Sequence, residues 1–309
     1  MFQKKLLYTA PSIIVLILTF VAAVPASGSI KGGGIGFDLG YAKEGYLSQD
    51  LKGLVKFGGG WSVSGKAAHI KSATDSDSYR LSAGPGYKVS EALSLGAIIA
   101  YGFEPGDVRS LSISPSMDME IGSLWLAEYM TTLSFGYGWT RYMRAEDVTA
   151  ASPGSSGRRK LARTRAVAAA ASAISVTQHA FSFGLDQELP YDFAMYAEAA
   201  LYGYGGTDLA TLEGTLLARS NTLTDFASIV SGLPRNSFGA GLGCSTIKHW
   251  DFEIYSTITT AAADGSHTTS AGAGAAWEFY DQWKASVDLS VSFAGSTSPL
   301  VVSGMSHTF

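Results

Sequence analysis

What the chain has little of sets its first limits. It holds a single cysteine, Cys244, so no intramolecular disulfide forms and the small stapled secreted folds are excluded. Charged residues make up only 16% of its 309 residues, and the formal charge of -4 excludes a generally basic nucleic-acid binder. Long apolar runs are also missing. Beyond Ile13 to Val24, every apolar stretch is broken by Gly, Ser or a charge within a few residues, far short of the roughly 20 that a membrane helix needs.

What is present is glycine, at 36 residues, aromatics at 12%, and a slightly positive mean hydropathy. The pattern behind those values has a period of two. From Leu93 to Phe103, one face carries Leu93, Leu95, Ala97, Ile99, Tyr101 and Phe103, and the other mostly Ser, Gly and Ala. Trp283 to Phe293 repeats the alternation more cleanly, and Trp125 to Trp139 over a longer stretch. Similar runs begin near Ile35, Leu51, Trp61, Tyr79, Arg109, Val176, Phe193, Phe238, Phe252, Thr269 and Val301, which makes fourteen strands. If Gly58-Gly59-Gly60 is a bend, and Ile35 to Tyr41 lies outside the wall, the count is twelve.

A soluble sandwich shows the same alternation, so the polar face decides. Here that face is small, as in Ser237, Gly239, Gly241, Gly243 and Ser245, where a water-facing sheet carries Lys, Glu and Thr. Small residues suit a crowded lumen. Pro85 opposes a closed barrel, since it removes a ladder hydrogen bond, and a bulge is the expected accommodation. Short turns at Lys88 to Ala92, Pro190 to Asp192, Lys248 to Asp251 and Tyr280 to Gln282 alternate with long segments from Met143 to Ala173 and from Gly205 to Arg235. That asymmetry matches short periplasmic turns and long outer loops.

The two ends agree. Met1 to Ala26 reads as a cleaved secretory signal, with Lys4 and Lys5, an apolar run and small residues at Val24-Pro25-Ala26, leaving 27–309 as one barrel domain with a charge of -6. At the other end Phe309, Met305 and Val301 alternate on a terminal strand, although His307 and Ser303 depart from the pattern. This ending resembles the signal of Gram-negative outer-membrane β-barrel proteins. The resemblance implies recognition by the barrel-assembly machinery and an integral place in the outer membrane, against its lipid and lipopolysaccharide. The fold expected is all-β: a single antiparallel transmembrane β-barrel of 12 to 14 strands with partly helical extracellular loops.

The chemistry-bearing residues point away from catalysis. His267 and Ser270 share an outer loop without the spacing of outer-membrane phospholipases or lipid A deacylases, and Asp75 and Asp77 lack an Asp-His partner on that side, since His249 and Asp251 fall in a periplasmic turn. Two aspartates are too few for a calcium site. Neither an enzyme nor a cofactor or metal is expected. Arg141, Arg144, Arg158, Arg159, Lys160, Arg163 and Arg165 gather in one outer loop of an otherwise acidic chain, where Arg158 to Ala173 reads as helical. Two roles follow for it: pairing with lipopolysaccharide phosphates, or a helix in the pore mouth that contacts anions. Leu209, Leu212, Leu216 and Leu217 are at helical spacing in the second long loop. Two such loops over this wall, with hairpins such as Tyr79 to Phe103, resemble the hydrophobic-compound and long-chain fatty-acid transporters of the outer membrane, though no residue carries over.

Glu128, Asp186, Glu188, Glu198, Glu253, Glu278, Lys284 and Asp288 are expected to face the lumen, either favouring cations at the exit or bracing the wall through Lys56, Arg80 and Lys284. The functional expectation is a porin-like channel for passive diffusion of small solutes. The alternatives are a plugged structural or adhesive surface barrel and, third, an outer-membrane hydrolase.

Overall fold

The computed structural model describes residues 29–42, 46–71, 77–104, 108–122, 128–144, 174–206, 217–219, 229–231, 233–262, 264–280, 282–293 and 297–309. The wall begins with β1 (Ile30–Ala42), β2 (Tyr46–Phe57), β3 (Trp61–Lys71), β4 (Asp77–Lys88) and β5 (Leu93–Glu104). It continues through β6 (Val108–Ile121), β7 (Thr131–Arg144), β8 (Ile174–Leu189) and β9 (Phe193–Gly205). Two short strands, β10 (Leu217–Arg219) and β11 (Ile229–Ser231), pair only with each other. The wall resumes with β12 (Pro234–Cys244), β13 (Trp250–Ala261), β14 (His267–Tyr280), β15 (Trp283–Phe293) and β16 (Thr297–Thr308). Apart from β10 and β11, the strands form one closed antiparallel barrel of fourteen, with β16 paired to β1.

Fourteen strands rather than twelve follow from the backbone of Gly58-Gly59-Gly60. Gly59 and Gly60 have φ of 76° and 82°, a left-handed pair that reverses the chain, and a Cβ at Gly60 would come within 2.8 Å of the Lys88 carbonyl oxygen. The β8–β9 turn uses the same reversal at Tyr191 and Asp192, with φ of 64° and 58°. Pro85 makes no bulge. Pairing between β4 and β5 lapses between Ala83↔Ile99 and Gly86↔Gly96 and resumes in unchanged register, and Pro115 opens a matching gap between Ile113↔Trp139 and Ser116↔Gly136. Each proline lacks the N–H, so the closed sheet skips a rung and keeps its order.

Closure fixes which face is which. Phe37 pairs with Met305 and Tyr41 with Val301, all exposed on the outside, while Asp38 and Gly40 face inward with Gly304 and Val302. Around the circuit the outer face carries large apolar side chains, such as Phe181 at 60% and Leu201 at 63% exposure, with Phe135, Phe183, Ile254 and Leu289 beside them. A soluble protein hides such a belt; an apolar outside around a polar inside is a wall built to face lipid. Near the short turns the belt ends in aromatic contacts: Trp61 with Tyr87 at 4.7 Å, Trp250 with Trp277 at 5.9 Å, and Trp283 with His307 at 4.6 Å. This is the aromatic girdle of a membrane interface.

Phe309 closes the seam. Its N–H donates to the Gly33 carbonyl at 3.0 Å, its carbonyl accepts from the Gly33 N–H at 2.7 Å, and its ring comes within 2.8 Å of where a Cβ on Gly33 would be. His307, which departs from the terminal pattern, stacks between Trp283 and Phe309 on the outer face.

Candidate functional site

Inside the barrel, bulk on one strand meets glycine on the next. Tyr196 and Glu198 of β9 lean sideways across β12: a Cβ on Gly241 would collide with the Tyr196 ring and hydroxyl, and one on Gly239 would lie 2.8 Å from Glu198 Oε1. Tyr255 of β13 lies over Gly272 of β14 in the same way, and Asp288 of β15 borders Gly274. Across the barrel, Lys52 lies along Gly36 and Asp38 across Gly304. The small polar face is therefore a set of troughs. Long side chains lie in them, flat against the wall and away from the barrel axis.

Two arcs of this lumen hold their charge differently. On β1 to β3, Lys52 Nζ lies 3.2 Å from Asp38 and Lys66 Nζ lies 3.3 Å from Asp50, so each lysine has a carboxylate on a neighbouring strand. On β9, β13 and β15 sit Glu198, Glu253 and Asp288, and Asp288 accepts a 2.8 Å hydrogen bond from the Tyr255 hydroxyl. Tilted strands rise by about one residue per neighbour around such a barrel, and following the register this way brings Lys52 and Lys66 level with Glu198, Tyr255 and Asp288.

Burial changes above and below that level. Toward the short turns, the inward side chains Lys56, Asp118, Glu120 and Asp186 are exposed. Toward the long loops, small inward side chains are covered, Ser112 to 2% and Thr259 to 1%. There Arg80 and Thr140 both donate to the Ser112 hydroxyl, at 3.3 and 2.9 Å. Leu233, fully buried, packs against Val108 and Val176 with Tyr142 and Tyr204 around it. Its carbonyl accepts from the Ala262 N–H at 2.8 Å, and the Tyr204 hydroxyl donates to the Pro234 carbonyl. Inward side chains are thus closely packed in the outer half and exposed in the periplasmic half.

The expected site residues are distributed unevenly over this plan. Register puts Asp186, Glu188, Glu198, Glu253, Glu278, Lys284 and Asp288 on the inner face. Glu128 is not among them: β7 starts only at Thr131, and Glu128 is exposed in the turn before it. Glu188 sits at the rim, where its carboxylate accepts from the Met130 N–H at 3.1 Å. Lys284 braces the wall, though through Asp251, and Arg80 donates to Ser112.

Arg141 is not a pore-mouth residue. β7 extends to Arg144, and Arg141 faces outward at the outer rim, its Nε donating to Ser175 Oγ at 3.2 Å. Arg144 ends the strand, paired with Val108 and Ile174. Arg158, Arg159, Lys160, Arg163 and Arg165 lie outside the described residues, as do Leu209, Leu212 and Leu216. Where helix was expected at Leu217, the backbone is strand, and among the described residues there is no α-helix.

Pairing on the inner face also shows what alternation alone missed. Asp38, Asp50, Lys52, Lys66, Tyr196 and Tyr255 all line the lumen; even positions on β1 and β2 carry the signal, once Ile35 and Leu51 are set outward.

The catalytic candidates are separated by the wall itself. His267 is on the outer face, its Nδ1 3.0 Å from Thr260 Oγ1, while Ser270 is buried on the inner face beside Ser292. Asp77 pairs with His69 at 3.4 Å on the outside. Cys244 ends β12, its Sγ 3.1 Å from Thr246 Oγ1. Among the described residues no three His, Cys, Asp or Glu converge to hold a metal ion. In the outer turn after β13, the Ser266 N–H holds the Asp264 carboxyl below its ordinary range.

No family model matches the chain, and no curated protein matches it in sequence. Among solved structures it is similar to the CymD monoaromatic hydrocarbon channel, at 12% identity over 90% of this chain and 87% of that one, with a TM-score of 0.49. It is similar also to OccK8 (OprE) of Pseudomonas aeruginosa, at 8% identity, 92% and 98% coverage and a TM-score of 0.45. For the KdgM porin the corresponding values are 8%, 89% and 99%, and 0.41.

Proposed function

We propose that this chain is a porin-like channel of the bacterial outer membrane, through which small solutes pass by diffusion. One observation carries the reading: at mid-height Lys52, Asp38, Glu198 and Asp288 lie against glycines of neighbouring strands, and Lys52 and Lys66 keep 39% and 30% of their side-chain surface in water. A barrel built only to stand in the membrane has no need to keep ionic groups wet at its centre, where unpaired charge is expensive. In this reading the closely packed outer half, around Leu233, is the narrower part, and the channel is small.

Export by the signal at Met1 to Ala26 and insertion through Val301, Met305 and Phe309 belong to this reading. So does contact of Arg141 and the neighbouring loop cations with lipopolysaccharide phosphates at the outer rim. No catalytic step is part of it, because His267 and Ser270 face opposite sides of the sheet. The test is planar-bilayer recording of the refolded barrel, its closure first confirmed by heat-modifiable gel migration. Discrete ohmic steps of small amplitude are expected. Silence from a closed, correctly migrating barrel overturns the channel in favour of a filled surface barrel.

A further inference from the structure

Resting on that reading, we propose that the lumen prefers cationic solutes, with the preference set at mid-level by Glu253 and Asp288, the two half-exposed carboxylates of that arc. The argument is one of charge placement on both sides of the passage. On the β1 to β3 arc, the two lysines at that level each sit against an aspartate, so their charge is cancelled within the wall. Opposite them, β8, β9 and β12 to β15 carry no Lys or Arg, among the described residues, between Lys284 near the periplasmic rim and Arg235 at the outer end. Lys284 is itself bound to Asp251.

Toward the periplasm the same sign continues. Asp118, Glu120 and Asp186 face the vestibule, against Lys56 and Lys88. A net charge of one sign along a narrow, low-dielectric passage focuses the field and concentrates counter-ions, as acidic rings do in cation channels. At about 0.1 M salt the Debye length of roughly 10 Å is comparable to half the width of such a lumen; at 1 M it shrinks to about 3 Å. The solutes favoured are inorganic monovalent cations and small amines. The sign is opposite to the one expected from the arginine-rich outer loop, which makes the measurement decisive.

The experiment is the zero-current potential of the full mature barrel in a KCl gradient, compared with the Glu253→Gln, Asp288→Asn double variant. The wild type should give a potential of the cation-selective sign, shrinking as total salt is raised from about 0.1 to about 1 M, and the double variant should shift toward zero. Should the double variant fail to show heat-modifiable migration, Asp288→Asn alone, which keeps an acceptor for Tyr255, and Lys52→Met serve instead. The first should weaken the preference and the second strengthen it. An anion-selective or zero potential, or variants that leave it unchanged, overturns the inference while the channel stands. Absence of any conductance step overturns the channel reading itself, and this inference with it.

Discussion

Each strand of this barrel has an outside and an inside, and the two faces answer to different rules. On the outside Phe181, Leu201 and Ile254 meet hydrocarbon, which asks only that a side chain be apolar. On the inside Tyr196 needs Gly241 beneath it, Asp288 takes a hydrogen bond from Tyr255, and Lys66 needs Asp50 on the next strand. Lipid is a solvent and accepts any fitting hydrophobe, whereas the lumen is a surface of particular neighbours. Substitutions one residue apart along a strand should therefore differ in kind.

The largest effect should come where the inner face is packed like a protein core. Leu233→Ala empties the fully buried position between Val108 and Val176, and should cost about 2–5 kcal/mol of unfolding stability in detergent while raising single-channel conductance. A loss of stability with conductance unchanged would place the constriction elsewhere.

Next come two neighbours on β8. Phe183→Arg sets a cation against mid-membrane lipid and should destabilise by about 2–4 kcal/mol, whereas Ser182→Arg, pointing into the lumen, should fold normally and alter conductance. Equal destabilisation by both would contradict the assignment of faces.

A smaller contrast uses β12. Gly241→Leu drives Tyr196 out of its trough into the passage, costing about 1–3 kcal/mol and lowering conductance. Ala240→Leu, on the exposed outer face, should do neither. Bilayer recording of the two variants checks this directly.

The smallest effect is expected at the ion pairs. Because Lys66 and Asp50 keep 30% and 15% of their side-chain surface in water, Lys66→Met should lower stability by less than about 1 kcal/mol. Urea titration of the single and double variants with Asp50→Asn would measure the coupling, and a value well above that bound would mark the lysine as a structural keystone.

Much of this architecture can be read along the chain. All fourteen wall strands coincide with runs of period-two alternation, because lipid on one side and water on the other impose the same binary choice at every residue. The glycines are visible too, but not their purpose: small residues at 239, 241 and 243 read as filling a crowded lumen, and Gly239 and Gly241 instead receive Glu198 and Tyr196 from the strand beside them. Likewise Glu128 counts as inward only if β7 begins at Trp125, and the strand starts six residues later. Arg141 reads as a loop residue because alternation weakens after Trp139, whereas pairing with Leu111 and Thr177 carries the strand on to Arg144.

Alternation by itself determined that these residues form strands and which face of each is apolar, since side-chain direction in a strand depends on nothing but position. Partners are another matter. Whether Gly241 meets a tyrosine, whether Lys52 meets an aspartate, and whether Glu198 and Asp288 share one level follow from register and tilt around a closed circuit. The circuit is complete only when β16 returns to β1, which brings Asp38 against Gly304, residues that the linear order keeps far apart.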